Sequence, residues 1–286
     1  MTLDIEIVFS LDIGDKNMKK MKLSNGVLIP VNGLGTWQTP NEIAAKVVKD
    51  GLDVGYRHID TAIAYGNEVG VGEGIRLSNV KREDVFITSK VPAEVKNYEE
   101  AKRSINESLL RLKLDYVDLM LIHAPRPWAE MGANFTKNYN EENARVWKAL
   151  EEAYEAGQCR SIGVSNFSID DLKYLFKHCK IKPMVNQILL HVGVVDCELV
   201  KFCKDNDILV EAYSPIGTGR LLNNEALLKM AKKYDVSVAQ LCIRYALNLQ
   251  TVVLPKTTHK EFMVQNFNVE FNISDEDMER LNKFNL

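Results

Sequence analysis

The 286-residue sequence is poor in cysteine, and the arrangement of its cysteines excludes two common roles. There are five, an odd number, and none is spaced as Cys-x-x-Cys or set beside histidines as in a zinc site. We therefore expect a protein without a structural metal or disulfide framework, reduced and cytoplasmic. All five are predicted to be packing residues: Cys159, Cys179, Cys197, Cys203 and Cys242.

An excess of charge of one sign is also lacking. The 36 Lys and Arg residues are offset by 39 Asp and Glu residues, for a formal net charge of -3, and no basic stripe runs along the chain. Neither nucleic acid nor an anionic membrane surface is expected as a partner. We expect a monomer that acts on a small molecule.

The N-terminus lacks the features of an export signal. An apolar run at 7–11 is preceded by Asp4 and Glu6, where a signal peptide carries basic residues. We expect neither export nor a membrane span. Met18 would serve as a second start, so residues 1–17 are interpreted as an extension without assigned structure, and 18–286 as one domain.

The remaining sequence is 46% apolar overall and has no linker rich in Pro, Gly or Ser. Short apolar runs alternate with amphipathic helical patterns eight times, which predicts a single (β/α)8 barrel of the α/β class rather than two doubly wound domains. The strands are predicted at 33–36, 56–60, 85–90, 117–123, 161–165, 184–188, 208–212 and 252–255.

Three further patterns place the connecting segments. Ser-Asn-Gly at 24–26 predicts a hairpin over 20–31 that covers one end of the barrel. A helix beginning at Asn41 is expected to place Ile43, Val47, Gly51 and Val54 on one face. A long loop at 124–143, which includes Gly132, is expected to be functional, and the helix after it stops at the glycine at 157.

Ionisable residues end three successive predicted strands. Asp60, Lys90 and His123 would meet at one mouth of a barrel, and Tyr65 lies in the turn after Asp60. A lysine beside a tyrosine hydroxyl lowers the pKa of the phenol, and an aspartate on that lysine holds its charge in place. These residues predict a proton relay that ends on Tyr65.

Each of the four residues also has a structural interpretation when taken alone. Asp60 would suit a helix cap or a pair with Arg57, and Lys90 a solvated strand end. His123 would suit a hydrogen-bonded core histidine, and Tyr65 a half-buried packing residue. The coincidence of all four favours an active site.

Six motifs in order closely resemble the aldo-keto reductases, and the match extends from about Met21 to the end of the chain. They are Asp-Thr-Ala-x-x-Tyr-Gly-Asn-Glu at 60–68 with the strand ending in Lys90, Leu-Ile-His at 121–123, Gly-Val-Ser-Asn-Phe at 163–167, Asn-Gln at 186–187, Ala-Tyr-Ser-Pro at 212–215 and Leu-Pro-Lys at 254–256. The resemblance includes the bacterial 2,5-diketogluconate and methylglyoxal reductases.

The resemblance implies an NADP(H)-dependent reductase of aldehydes and ketones. Tyr65 would be the general acid, Lys90 and Asp60 would tune its pKa, and His123 would orient the substrate carbonyl. Two other functions share the fold: a regulatory barrel that holds the cofactor as a redox sensor, and an isomerase or hydrolase in which Lys90 forms a Schiff base.

The resemblance also implies a cofactor held across the barrel mouth without a Rossmann domain. Ser165, Asn166 and Gln187 would bind the nicotinamide carboxamide, and Tyr213 would stack on the nicotinamide ring. Without the family, Ser165 and Asn166 would be interpreted as a helix N-cap before Asp170. The implied cofactor residues are Gly35, Thr36, Ser165, Asn166, Gln187, Tyr213, Ser214, Pro215, Ile216, Gly217, Gly219, Lys256, Thr257, Gln265 and Asn266.

The phosphates of the cofactor have their own implied positions. The loop 214–219 offers backbone N–H groups for the pyrophosphate, with Gly217 and Gly219 allowing close approach. Lys256 and Thr257 would meet the 2'-phosphate. Where the family commonly has an arginine, this chain has Phe262, so a weaker preference for NADPH over NADH is expected, with Lys260 as a further candidate cation.

The substrate pocket has fewer markers. Trp37 and Trp128 are candidates for an aromatic wall, although a loop tryptophan also packs against its own loop. The chain ends soon after the helical pattern at 278–281, so we expect no long C-terminal substrate loop and an open pocket for small carbonyl compounds. The glycines at 70, 72 and 74 have the wrong spacing for a dinucleotide loop and are predicted to lie within a helix.

Overall fold

The computed structural model describes residues 19–131 and 136–284. The N-terminal extension at 1–17, Met18 and Gly132 therefore lie outside the described residues. Within the described ranges, no helix combines the length and apolarity needed to cross a bilayer.

Eight parallel strands form the centre of the fold, in sequence order around one sheet. Their inward and outward side chains are both covered, so the strands are almost entirely buried, as expected for parallel sheets. After the N-terminal hairpin strands β1 (Lys20–Lys22) and β2 (Leu28–Pro30), the barrel strands are β3 (Leu34–Gly35), β4 (His58–Asp60), β5 (Phe86–Val91), β6 (Leu119–Ile122), β7 (Ile162–Ser165), β8 (Val185–Leu189), β9 (Leu209–Tyr213) and β10 (Val252–Leu254).

Main-chain hydrogen bonds join the first and last strands of this sheet. The N–H of Gly33 donates to the carbonyl oxygen of Val253 at 2.9 Å, and the N–H of Val253 donates to that of Val31 at 2.8 Å. The N–H of Gly35 reaches the carbonyl oxygen of Pro255 at 2.9 Å. The predicted (β/α)8 barrel is confirmed, and each predicted strand overlaps an observed one.

Helices surround the barrel. Two of them, rather than one, separate β9 from β10, and two more follow β10. The helices are α1 (Asn41–Val54), α2 (Glu68–Leu77), α3 (Tyr98–Leu112), α4 (Asn140–Glu155), α5 (Ile169–His178), α6 (Cys197–Asp205), α7 (Glu225–Lys233), α8 (Val238–Asn248), α9 (Lys260–Phe267) and α10 (Asp275–Asn282).

The N-terminal hairpin covers the end of the barrel where the strands begin. Strands β1 and β2 pair antiparallel, with Met21 opposite Ile29, and both side chains are buried in the main core. The side-chain amide of Asn25 donates to the carbonyl oxygen of Arg160, just before β7 begins. The hairpin is confirmed, and it leaves the opposite mouth open.

The buried face of α1 differs from the predicted one. Ile43 is 41% exposed and Val54 is only half-buried. The buried residues are Ala44, Val47, Val48, Gly51 and Leu52. The expectation was wrong for Ile43 because the residues of α1 that approach the glycines of α2 are Ala44, Ala45 and Val48.

The close approach of α1 and α3 to α2 explains the three glycines of α2. A Cβ on Gly72 would lie 2.1 Å from the carbonyl oxygen of Leu112, and one on Gly74 would lie 2.6 Å from that of Ala45. Side chains are excluded there because neighbouring backbones approach too closely. The helical placement of Gly70, Gly72 and Gly74 is confirmed.

The cysteines are free in this structure. Cys159, Cys203 and Cys242 are buried, and Cys179 packs at the edge of the core. Cys197 is exposed at the first position of α6, so its prediction as a packing residue was wrong.

Candidate active site

Lys90 lies at the centre of a buried cluster at the carboxyl end of the barrel. This group, called the lysine cluster below, consists of Asp60, Thr61, Tyr65 and Lys90. Its Nζ donates to Asp60 Oδ1 at 2.7 Å, to Asp60 Oδ2 at 2.8 Å and to the carbonyl oxygen of Thr61 at 2.9 Å. The fourth neighbour is the Tyr65 hydroxyl oxygen at 3.1 Å. The structure thus brings the three predicted residues together, and Asp60 forms the pair with Lys90 rather than with Arg57.

The strand pairing explains this arrangement. Asp60 on β4 lies beside Thr88 on β5, and Lys90 is two residues further along β5, so both side chains point into the barrel. A turn at Ile63–Tyr65 then carries the Tyr65 ring back over the mouth. The left-handed conformation of Gly66, with φ of 68°, ends that turn.

The charges of this cluster are mutually dependent. Burial alone would lower the pKa of Lys90, but Asp60 and Tyr65 outweigh it and the pKa is raised. Burial raises the pKa of Tyr65, whereas Lys90 lowers it. Lys90 lowers the pKa of Tyr65, as predicted, but burial raises it by more. The pKa of the phenol is therefore above its ordinary value.

His123 packs against the Tyr65 ring. The two ring centroids are 5.5 Å apart in an edge arrangement, and the Trp128 ring contacts the imidazole at 5.1 Å. Burial, together with the charge of Lys90, lowers the pKa of His123 to about 3. The imidazole is therefore neutral, and its buried Nδ1 has no hydrogen-bond partner among the described residues.

Two tryptophans were candidates for the substrate pocket. Trp128 is 42% exposed, and its ring packs on the His123 imidazole. Trp37 is 46% exposed in the segment after β3. Its role in binding substrate stays a prediction.

The segment after β7 forms one hydrogen-bonded unit with the ends of β8 and β9. Asn166 has a φ of 60°, and its Nδ2 donates to Ser165 Oγ at 3.0 Å. The Tyr213 hydroxyl donates to Asn166 Oδ1 at 2.9 Å. The N-cap of α5 is Ser168, so interpreting Ser165 or Asn166 as that cap was wrong.

Gln187 links this unit to the lysine cluster. Its Nε2 donates to Asp60 Oδ2 and to Glu211 Oε2, both at 2.9 Å. The two acceptors are carboxyl groups, which require the amide nitrogen rather than the amide oxygen on that side. The predicted carboxamide contact would therefore involve the amide oxygen.

Four residues of the loop after β9 have a left-handed backbone conformation. Ser214, Gly217, Thr218 and Gly219 all have positive φ, with values of 51°, 58°, 54° and 90°. The N–H groups of Gly217 and Gly219 donate within the loop, to the carbonyl oxygens of Ser214 at 2.8 Å and Ile216 at 3.0 Å. Binding of a pyrophosphate by this loop stays a prediction. Pro215 and Ile216 complete this loop between β9 and the short helical turn at Gly217–Gly219.

A cleft of about 1020 Å³ continues from this loop toward α9. Ile216 lies on one side, and α7 and α8 supply much of the wall. The predicted residues that line it are Lys256, Thr257, Phe262, Gln265 and Asn266. Lys260 instead points toward α1, where its Nζ is 3.7 Å from Asp50 Oδ1.

Gly35 and Thr36 take part in the barrel framework. The Thr36 hydroxyl and N–H both donate to the carbonyl oxygen of Asp60, at 2.9 and 3.0 Å. These bonds hold the end of β4, from which the Asp60 side chain projects. Contact of Gly35 and Thr36 with a cofactor stays a prediction.

Sequence reasoning missed two buried residues near this cluster. Glu211 projects from β9 and accepts from Gln187. Asn67 donates to the carbonyl oxygens of Thr36 and Thr39 and accepts from the Thr61 hydroxyl, so it ties the turn after β4 to the segment after β3. A charged residue within the apolar run Leu-Val-Glu-Ala at 209–212 was the available signal for Glu211.

Comparison with known proteins gives matches over nearly the whole chain. The model of the Aldo/keto reductase family matches residues 32–286. Glyoxal reductase of Bacillus subtilis is 42% identical over 267 residues, which cover 93% of this chain and 92% of that protein. Glycerol 2-dehydrogenase (NADP(+)) of Saccharomyces cerevisiae is 37% identical over 283 residues, which cover 92% of this chain and 90% of that protein.

Solved structures show the same likeness. The crystal structure of MGS-M4, an aldo-keto reductase from a Medee basin deep-sea metagenome library, superposes with a TM-score of 0.85. It is 40% identical, and the match covers 93% of this chain and 94% of that one.

Proposed function

The chain belongs to the aldo-keto reductase family, and from that premise we propose that it reduces small aldehydes and ketones with NADPH, with Tyr65 as the proton donor. The observation that carries the proposal is the 3.1 Å contact between Lys90 Nζ and the Tyr65 hydroxyl, with Lys90 held by Asp60. The names of the Bacillus and Saccharomyces relatives support a carbonyl substrate and NADP.

The proton transfer can be written with these residues. As a C–H bond forms at the carbonyl carbon, the C=O π electron pair moves to the oxygen, and Tyr65 donates its O–H proton to that oxygen. The tyrosinate left behind is stabilised by the Lys90 ammonium, and a proton from water restores the phenol. In the reverse direction, the same tyrosinate accepts the alcohol proton.

His123 would supply a second hydrogen bond to the carbonyl oxygen. Its pKa of about 3 keeps the imidazole neutral, so it has one N–H group to donate and carries no positive charge. Contact with the rings of Tyr65 and Trp128 limits its rotation. This preorganised donor would stabilise the negative charge that develops on the oxygen.

The residues around the mouth fit a nicotinamide cofactor. When bound, NADPH supplies the hydride. Ser165, Asn166 and Gln187 would bind the carboxamide, Tyr213 would stack on the nicotinamide ring, and the positive-φ loop would take the pyrophosphate. The adenosine end would then occupy the cleft that continues from this loop.

The geometry disfavours Schiff-base chemistry at Lys90. A Schiff base needs a neutral amine, whereas the pKa of Lys90 is raised by Asp60 and Tyr65 despite its burial. Its Nζ contacts three acceptor residues at 2.7 to 3.1 Å, which orients the ammonium and leaves no clear path to a carbonyl carbon.

The proposal is tested by following NADPH oxidation with glyoxal, methylglyoxal and a set of simple aldehydes. We expect turnover with small carbonyl compounds and none without them. Binding of NADPH with no turnover for any carbonyl compound would contradict the reductase and favour a sensor. Covalent trapping of Lys90 by borohydride would favour the Schiff-base alternative.

We expect the residue at position 262 to determine how strongly NADPH is preferred over NADH. Phe262 lines the cleft with Lys256, whereas Lys260 is turned toward Asp50. Position 262, where the family commonly has an arginine, therefore has no guanidinium group to form a bidentate contact with the 2'-phosphate. Phe262→Arg is expected to tighten NADPH binding by about tenfold to a hundredfold, because a charge-assisted hydrogen bond contributes about 1.5 to 3 kcal/mol. Dissociation constants for NADPH and NADH, measured at one salt concentration, check this.

A matched variant separates charge from packing at this position. Phe262→Met keeps an apolar side chain without a charge and should leave the ratio of the two dissociation constants unchanged. If Phe262→Arg tightens both cofactors equally, the position contacts only the adenine. No change for either cofactor would place Phe262 outside the site.

A further inference from the structure

A second carboxyl group lies inside the barrel beneath the lysine cluster. Glu211 is in the middle of β9, and its side chain is completely buried. Because strand residues two apart share a face, Glu211 points to the same side as Tyr213, as His58 does with Asp60. Interior positions of β4 and β9 therefore place these polar groups together inside the barrel.

Hydrogen bonds connect Glu211 to the proposed proton donor. Glu211 Oε2 accepts from Gln187 Nε2 at 2.9 Å, and the same nitrogen donates to Asp60 Oδ2 at 2.9 Å. Asp60 holds Lys90, whose Nζ is 3.1 Å from the Tyr65 hydroxyl. The path from Glu211 to Tyr65 is therefore continuous and passes through buried side chains.

The other neighbours of Glu211 do not neutralise it. His58 Nε2 on β4 is 3.7 Å from Glu211 Oε1 but only 3.0 Å from the hydroxyl of Thr88 on β5. Burial lowers the pKa of His58 to about 4, so the imidazole is neutral. On β10, the residue paired with Glu211 is the apolar Val252.

Within the described part of the chain, the charges that act on Glu211 are those of Asp60 and Lys90, which already form a pair with each other. Burial, and then the charge of Asp60, raise the pKa of Glu211 to about 8, against the effects of Gln187 and Lys90. Glu211 therefore carries its proton at neutral pH and loses it under mildly alkaline conditions.

We propose that Glu211 is a positioning residue of the reductase: through Gln187 it holds the Asp60 carboxylate under Lys90, and its charge state is transmitted to Tyr65. This inference rests on the proposed role of Tyr65 as the acid. When Glu211 ionises, the added negative charge disfavours the tyrosinate and makes Tyr65 a weaker acid. Carbonyl reduction therefore slows as Glu211 loses its proton.

The inference is tested with Glu211→Gln, which keeps the shape and an acceptor oxygen for Gln187 but carries no charge at any pH. In the wild-type protein, kcat for carbonyl reduction should fall by about threefold or more across pH 8, since a unit charge in the interior shifts a neighbouring pKa appreciably. In Glu211→Gln, this fall in kcat across pH 8, called the step below, should be absent. A step of equal size and position in both proteins would overturn the inference.

Glu68→Gln provides the matched control. Glu68 is also a buried carboxyl group, but it accepts from the hydroxyls of Ser89 and Ser108, outside the path to Tyr65. Its variant should keep the wild-type step. Loss of the step in Glu68→Gln as well would mean that any buried carboxyl group produces it, and would overturn the specific role of Glu211.

Two further measurements separate this inference from the proposed function. Glu211→Leu, which removes the acceptor for Gln187, should lower kcat by about tenfold more than Glu211→Gln does, because Asp60 is then less well held. Carbon-13 NMR of the wild-type protein labelled in its glutamate carboxyl groups requires no turnover. A resonance that titrates near pH 8 and is lost in Glu211→Gln is expected; its absence overturns the inference even in an active reductase.

Discussion

Replacing Tyr65 by phenylalanine is expected to lower kcat for carbonyl reduction by at least ~10²-fold, the usual contribution of a positioned general acid. The substitution removes one hydroxyl group, whose oxygen is 3.1 Å from Lys90 Nζ, and keeps the ring that packs against His123. Affinity for NADPH should be nearly unchanged. Steady-state kinetics with a small aldehyde and a fluorescence titration with NADPH measure the two quantities.

Tyr56→Phe is the matched control for this substitution. Tyr56 is completely buried, and its hydroxyl donates to the carbonyl oxygen of Met263 at 3.3 Å, away from the lysine cluster. The control should lose some stability and keep its turnover number. A Tyr65→Phe variant that turns over like the control would remove Tyr65 from the proposed mechanism.

Replacing Lys90 by methionine is expected to move the pH dependence of alcohol oxidation upward by about one to three pH units. Oxidation needs the tyrosinate, and Lys90 lowers the pKa of Tyr65 while burial raises it. Without the ammonium, the phenol keeps its proton to higher pH. At a pH well below the pKa of the phenol in both proteins, the oxidation rate should fall about tenfold for each pH unit by which the profile moves.

The stability of this variant must be controlled, because Lys90→Met leaves Asp60 as a buried carboxylate without its cation. Removing one partner of a buried pair costs about 3 to 5 kcal/mol. Asp60→Asn alone should act more mildly on turnover, since the ammonium and its contact with Tyr65 remain. The double variant with Asp60→Asn removes both charges and is compared with Asp60→Asn alone, because Asp60 raises the pKa of Tyr65 whereas Lys90 lowers it. If these two pH profiles coincide, Lys90 does not tune Tyr65.

Most of the barrel could be predicted from the sequence because its signals are local. Each predicted strand overlaps an observed strand, and the hairpin follows from a turn of three residues at 24–26. The buried face of α1 could not be predicted in the same way, because Ile43 is the more apolar residue but Ala44 fits the close approach of α2. Burial there depends on the partner surface and not on apolarity alone.

The segment at 256–266, which we propose binds the cofactor, shows the same limit. The sequence indicated Lys256 and Phe262 as neighbours, and both line one cleft. It also offered Lys260 as a cation for the phosphate, but that side chain extends toward Asp50 on α1. The direction of a long surface side chain is determined by the charges of other elements, which local patterns do not contain.

The sequence by itself determined that Asp60, Lys90 and His123 lie within one residue of the ends of successive strands. Strand ends are marked by short apolar runs, and a parallel barrel brings such ends to one mouth. Only the tertiary structure decided that Gln187 bridges Asp60 and Glu211. Gln187 is separated from Asp60 by 127 residues and from Glu211 by 24. Their contact depends on the stagger of the strands and on which side chains face inward, and the pKa of a buried group depends on the whole set of neighbours that results.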